Sequence, residues 1–312
     1  MLREIARTAF AGAVHQLKTV KVGHRVTDSR VAKWMCGNGI ALARLRCGAR
    51  AVVPLADYVG RAMYVWGESD PRISDVIRAV IEPGDEVLDI GANLGVTGLL
   101  AASIVGATGK VHLFEPQPYI AQFLRTSLLI NGYSQGRVHE IALSDRSASV
   151  EMEIASPENL GMTRVISASA PNSANTIRVS AEEAGRYVKA LGCRRVPLIK
   201  IDVEGHEPTI LRALSDCMVD LRVGVVLFEC HLEDGQAFWE HESVRCLAEV
   251  GFDFLAFDMK PYWSTRLYPV TKSNENPVGH DFVAVRVSEL GAAALQRLAA
   301  MTAPSGLRWT EA

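Results

Sequence analysis

The sequence predicts an α/β fold built on a doubly wound, mainly parallel sheet, and three observations predict it. From Ile73 onward, short apolar runs alternate with longer helical patterns, the rhythm of strands joined by crossover helices. Several of the runs, such as "VPLIKID" and "VGVVLFEC", are apolar almost without a break, as strands covered on both faces are. The stretch "VLDIGANLG" joins a strand to a helix through a glycine turn. That turn marks the strand end at which open α/β sheets bind ligands.

Residues 1–47 read as helical and rich in Ala and Arg, interrupted at Gly37 and Gly39. "ARAVVPLADYVGRAMYVWGESDP" reads as two short strands or a hairpin closed by Pro71. Residues 1–72 are therefore expected to form a helical and hairpin extension, and residues 73–312 the main domain. In the main domain "ISDVIRAVI" is a helix and "PGD" a turn. "EVLDI" is the first strand, followed by the helix "NLGVTGLLAASIVG". "KVHLFE" is the second strand, and the helix after it is opened by prolines at its first positions. "RVHEIAL" is the third. "VPLIKID" and "VGVVLFEC" follow as fourth and fifth, with the helix "PTILRAL" between them. "GFDFLAFD" and "DFVAVRV" are the last strands, and a tail helix closes the chain. One segment breaks the rhythm. Residues 155–178 are rich in Ser, Asn, Ala and Pro and read as a long loop, expected near the ligand cleft.

The bulk composition excludes several classes. A formal charge of −2 over 312 residues gives no global basic field for nucleic acid. Cys36, Cys47, Cys193, Cys217, Cys230 and Cys246 form no C-x-x-C pair and point to a reducing, cytoplasmic setting. No apolar run approaches the ~20 residues that span a bilayer. Arg3, Arg7, Lys18 and Lys21 could form a basic face for peripheral membrane contact.

The glycine turn limits the ligand. A dinucleotide fingerprint needs glycine at the second position, where the backbone meets a pyrophosphate. Here Asn93 stands there, between Gly91 and Gly95. S-adenosylmethionine (SAM) has no pyrophosphate and fits better. Gly91 allows close approach to a ligand. Asn93 tolerates a left-handed backbone, and Asp89 can meet the amino group of the methionine. Glu115, at the end of "KVHLFE", can accept both ribose hydroxyls. Ser144 and Asp145 in "ALSD" can take the adenine amino group.

With "VLDIGANLG", "HLFEPQP", "ALSD", "LIKIDVEGHE" and "VVLFECH" in this order, the chain resembles the FkbM-type family of SAM-dependent methyltransferases, over roughly residues 55–287. The resemblance implies a Rossmann-like, class I methyltransferase sheet of seven strands, the last antiparallel. It also implies O-methylation of a hydroxyl on a sugar, glycolipid or polyketide-type product. The acidic residue that the family often carries in an "LD" pair before the helix preceding the fourth strand is missing here, where "IRVSAEEAG" places Ser180 and Ala181. The acceptor is expected to be a small molecule or glycan, and the product S-adenosylhomocysteine (SAH). A nucleotide-dependent oxidoreductase and a non-catalytic binding protein on the same fold are the alternatives.

In that sheet order the fourth strand neighbours the first, so Asp202 should reach the cleft near the sulfonium. An acceptor hydroxyl must lose a proton, and a base assists by roughly 10²–10⁴-fold. His206 is the first candidate, with Asp202 orienting the hydroxyl or the imidazolium. Glu204 is expected to hold the substrate or the amino end of SAM, and His231 is a rival base. Asp202, Glu204, His206, Glu229 and His231 could also assemble a divalent-metal site, a reading not favoured because no fixed ligand spacing demands it. Lys200 is expected to be a paired or snorkelling lysine. His280 and Asp281 form a further polar pair before the last strand, and Tyr262, Trp263 and Tyr268 could line the acceptor pocket.

Overall fold

A computed structural model of the chain describes residues 26–154, 163–166, 176–233, 235–258, 264–272 and 277–302. The basic residues Arg3, Arg7, Lys18 and Lys21, and the aromatics Tyr262 and Trp263, lie outside these.

The extension is organised differently from its sequence reading. Helix α1 (Arg30–Cys36) is capped by Ser29, whose side chain accepts from the Ala32 amide. It ends at Gly37, and strand β1 (Ile40–Arg44) begins within the stretch expected to be helical. Strand β2 (Arg50–Pro54) pairs with it in an antiparallel hairpin. The expected second strand is instead helix α2 (Tyr58–Trp66). The β-branched and aromatic residues of "YVGRAMYVW" favour strand, but the ends decide otherwise. Asp57 accepts from the Gly60 amide at 2.9 Å, and Gly67 closes the helix at φ 75°, a start and stop that only a helix uses.

Helix α3 (Pro71–Val80) leads to strand β3 (Glu86–Ile90) and helix α4 (Val96–Val105). Strand β4 (Lys110–Phe114), helix α5 (Pro118–Asn131) and strand β5 (Gly136–His139) follow. The expected third strand divides here. Its second half, β6 (Ala142–Ser144), leaves the main sheet and joins β7 (Ala148–Glu153), β8 (Arg164–Ile166) and β9 (Thr176–Glu183) in a separate four-stranded sheet ordered β6-β9-β7-β8. So the expected loop at 155–178 contains strand at 164–166 and at 176–178. The chain returns through helix α6 (Ala184–Ala190), strand β10 (Leu198–Ile201), helix α7 (Glu207–Asp220) and strand β11 (Val225–Glu229). Helix α8 (Glu242–Glu249) and strands β12 (Asp253–Phe257), β13 (Leu267–Pro269) and β14 (Asp281–Val285) precede the final helix α9 (Ala292–Met301).

The main sheet has eight strands in the order β13-β12-β14-β11-β10-β3-β4-β5. Seven of them form the expected sheet, with β14 antiparallel to its neighbours β11 and β12. The eighth, β13, pairs antiparallel at the edge beside β12. Successive strand residues point to opposite faces, which gives the sheet two cores. Val87, Leu113 and Leu227 face one, with Val53, Leu55 and Met63 of the extension in the same cluster. Leu88, Ile90, Ile199 and Phe228 face the other, beneath α6, α7 and α8. Strand β10 lies between β3 and β11, parallel to both. This neighbourhood brings the ends of the three strands to one edge.

Candidate active site

At the carboxyl edge of β3, β4, β10 and β11 lies a cleft of about 380 Å³. Its floor is the glycine turn. Gly91 stands at φ 78°, and a Cβ there would come 1.9 Å from the carbonyl oxygen of Asp202, so only glycine lets the turn lie against the end of β10. Gly95, at φ 84°, starts α4 and would strike Leu124 with any Cβ. Asn93 between them is left-handed at φ 49°, a conformation that asparagine tolerates better than most residues.

Glu115 organises this turn. It is buried, and its two oxygens accept from the Asn93 and Gln117 amides, each at 2.9 Å. Burial pushes its carboxyl up to about 7, against the pull of those two amides. The same carboxylate lines the cleft, and each of its oxygens keeps a lone pair for a ligand hydroxyl.

Asp89 is buried at the end of β3, and its Oδ2 accepts from the Thr97 hydroxyl at 2.6 Å. Its Oδ1 has no hydrogen-bond partner and is faced by Lys200 Nζ at 3.6 Å. Lys200 is paired, as its place inside a strand suggests. It donates to the Gly91 carbonyl at 2.9 Å and sits 3.2 Å from Asp202. The two aspartates hold its pKa above the ordinary lysine value despite burial. Sequence reasoning did not find this bridge, because it depends on the register of β10 against β3, where Lys200 stands opposite Asp89.

The loop after β10 divides the predicted residues into two groups. Glu207 holds the loop, its oxygens accepting from the Val203 and Gly205 amides at 2.8 and 2.9 Å. On one side, His206 turns to the second sheet. Its Nε2 is 3.0 Å from the Ser144 hydroxyl, which in turn donates to Asp145 at 3.1 Å. Burial lowers the pKa of His206, opposed by the charge of Asp145. On the other side, carboxylate oxygens of Asp202, Glu204 and Glu229 lie within 4.8 Å of one another. Burial first, then the charge of Asp202, raises Glu204 to about 7 and Glu229 to about 8. His231 is bound to Glu229, Nε2 to Oε1 at 3.0 Å, and its ring lies 4.6 Å from that of His280. Of the five groups that could assemble a metal site, the three carboxylates Asp202, Glu204 and Glu229 come together. His206 is bonded to Ser144 instead, and His231 to Glu229.

Some lining residues carried no signal in the main-domain motifs. Tyr58, Ser69 and Asp70 of the extension reach the cleft, as do Met152 and Thr163 of the second sheet and its connections. Asp281 lines it too, opposite Glu229 in the β11–β14 register. Burial lifts Asp281 to about 6, and Arg72 links it to Asp70.

Known proteins are similar to this chain across the same region. The family model described as the methyltransferase FkbM domain matches residues 89–254, a span that runs from Asp89 into β12. The 31-O-demethyl-FK506 methyltransferase FkbM of Streptomyces tacrolimicus is 26% identical over 216 residues, covering 61% of this chain and 81% of that protein. A protein-L-isoaspartate O-methyltransferase of Aeropyrum pernix is 28% identical over 121 residues, 38% of this chain and 44% of that protein. Among solved structures, the methyltransferase FkbM from Methylobacillus flagellatus KT covers 73% of this chain and 53% of its own, at 11% identity and a TM-score of 0.39. A glycine turn closed to any Cβ and the Glu115 carboxylate in the same cleft suit a ligand that carries ribose hydroxyls, and with the match across residues 89–254 the chain belongs to the FkbM family of SAM-dependent methyltransferases.

Proposed function

We propose that the chain methylates a hydroxyl on a sugar, a glycolipid or a polyketide-type product. What supports O-methylation is the crowding of Asp202, Glu204 and Glu229 at the ends of two adjacent strands, in the same cleft as the glycine turn. The name of the Streptomyces relative, which gives an O-demethyl acceptor, points the same way.

SAM, when bound, supplies an electrophilic methyl on a positively charged sulfur. Asp89, held by Thr97 and faced by Lys200, would take the amino end at its buried Oδ1. Glu115 would accept the ribose hydroxyls while keeping its two amide donors. Ser144 and Asp145 would meet the adenine, with Gly91, Asn93 and Gly95 shaping the floor. Holding the acceptor in line with the methyl group can supply ~7–11 kcal/mol of the barrier. As the methyl–sulfur bond breaks to leave SAH and the new O–C bond forms, the hydroxyl proton would pass to the Glu204–Glu229 pair, whose raised pKa values suit a base near neutral pH. Crowded carboxyls titrate as a set, so the proton is assigned to the pair. His231 fixes Glu229, and Lys200 pairs with Asp202 at 3.2 Å. His206, bonded to Ser144, positions the loop from the adenine side.

Calorimetry with SAM, SAH and NAD(H) tests the ligand. SAM and SAH should bind and NAD(H) should not. Binding of NAD(H) without SAM would overturn this reading in favour of an oxidoreductase.

A further inference from the structure

The charge of the chain is unevenly placed. Residues 1–50 carry ten Lys and Arg against two Asp and Glu, a formal +8, which leaves −10 on the other 262 residues. The described end of this basic stretch also exposes apolar side chains. Val31 and Trp34 are 60% and 67% exposed, and Ile40 and Leu42 are 63% and 51%. These are four of the eight large apolar residues exposed among the described residues, and they fall within twelve positions. Val31 and Trp34 are three apart on α1, and Ile40 and Leu42 two apart on β1, so each pair shares a face of its element. Exposed Arg30 and Arg44 flank them.

Scattered apolar residues need no explanation, but two successive elements that each expose an apolar pair beside an arginine do. Cations alone would suit RNA or an acidic protein. Tryptophan and aliphatic side chains beside arginine suit the boundary between head groups and acyl chains.

We propose that α1 and β1 form a docking face for an anionic lipid surface. The face is fastened to the cleft. Trp66 of α2 donates to the Thr27 hydroxyl at 2.8 Å, and buried Arg61 of α2 donates to the carbonyls of Thr27 and Leu55. The first residues of α2, Tyr58 and Val59, line the cleft. Docking therefore holds the cleft at the lipid surface. Resting on the methyltransferase reading above, this makes the acceptor an amphiphile resident in the membrane.

The test is sedimentation of the full chain with vesicles of phosphatidylcholine alone, and with phosphatidylglycerol added in a two-to-one ratio. Binding is expected to the anionic vesicles only and to fall as salt rises from ~0.1 to ~0.5 M. Arg30→Gln with Arg44→Gln should lower the partition coefficient about 30-fold, and Trp34→Ala should lower it as well. Arg222→Gln with Arg245→Gln, elsewhere on the surface, should not. Thermal melts of all variants should match the parent. No binding to anionic vesicles, binding that both sets of α1–β1 variants leave unchanged, or capture of single-stranded RNA in place of vesicles would each overturn the proposal. SAM calorimetry on the same preparation separates the two readings: a chain that binds SAM but no vesicle fails this inference alone.

Discussion

The Ser144 hydroxyl lies 3.0 Å from Nε2 of His206 and joins the second sheet to the loop that follows β10. The single hydroxyl hydrogen of Ser144 serves either Asp145 or Nε2; when it goes to Asp145, the oxygen accepts from Nε2–H and Nδ1 carries the free lone pair of the ring. Ser144→Ala removes this clasp. The expected outcome is a loss of about 1 kcal/mol of stability, read by urea unfolding. SAM affinity should fall about fivefold at most, read by calorimetry.

Gly91→Ala should abolish tight SAM binding without unfolding the chain. The new Cβ would meet the Asp202 carbonyl, and φ 78° is itself strained for alanine. The turn must then move off β10, and an affinity loss beyond about 100-fold is expected. Retained affinity in calorimetry would show that the turn does not hold the ligand.

If Glu115 accepts the ribose hydroxyls as proposed, SAM binding depends on pH. Its carboxyl sits at about 7 in the free protein, and ribose hydroxyls donate to the ionised form. Affinity should therefore be full above pH 7 and fall below it, by up to about tenfold per unit. Glu115→Gln should bind SAM weakly and without that slope. Calorimetry at pH 6, 7 and 8 checks both.

If the proton goes to the Glu204–Glu229 pair, Glu204→Gln and Glu229→Gln should each lower kcat by about 10²-fold or more, with SAM affinity nearly unchanged. In the parent, kcat should rise with pH through the raised values of about 7 and 8. His206→Ala should cost less than either. A larger loss in His206→Ala, measured as SAH release, would return the base to the imidazole.

Stability should fall in acid through a second polar cluster. His112 Nδ1 and His139 Nε2 are 3.0 Å apart, and His139 Nδ1 is 3.1 Å from the Tyr187 hydroxyl. Burial, then the charge of His139, lowers His112 to about 4, and burial lowers His139. The unfolded chain takes up these protons near ~6.5, before the folded chain does. The contribution is therefore complete above pH 6.5 and is lost as pH falls from there towards 4. Between pH 7 and 5, His112→Gln should shrink the parent's stability drop by about 1–2 kcal/mol, measured by urea unfolding at both values.

How legible the molecule was depended on the range of the forces involved. Strands β3, β4, β10 and β11 are short apolar runs closed by charged residues, so pattern alone located them, and motif order placed Asp89, Gly91, Glu115 and Asp202 at one edge. Helix α2 misled because its residues favour strand while Asp57 and Gly67 enforce helix. The second sheet was missed because its strands are half polar. In β9 only Val179 and Ala181 are buried, and β6 pairs with it across more than thirty intervening residues. The division of the loop between His206 on Ser144 and Glu204 beside Glu229 was equally illegible, since it depends on where that second sheet docks. Nor did the sequence order reveal that Tyr58 and Asp70 of the extension line the cleft.

The central claim is that the glycine turn, Glu115 and the ends of β10 and β11 form one SAM-binding methyl-transfer cleft. A crystal structure with SAH tests it most directly. The ribose is expected on Glu115, the amino end at Asp89, the adenine beside Ser144 and Asp145, and the sulfur turned towards Asp202, Glu204 and Glu229. SAH bound elsewhere, or with its sulfur facing away from those carboxylates, would contradict it.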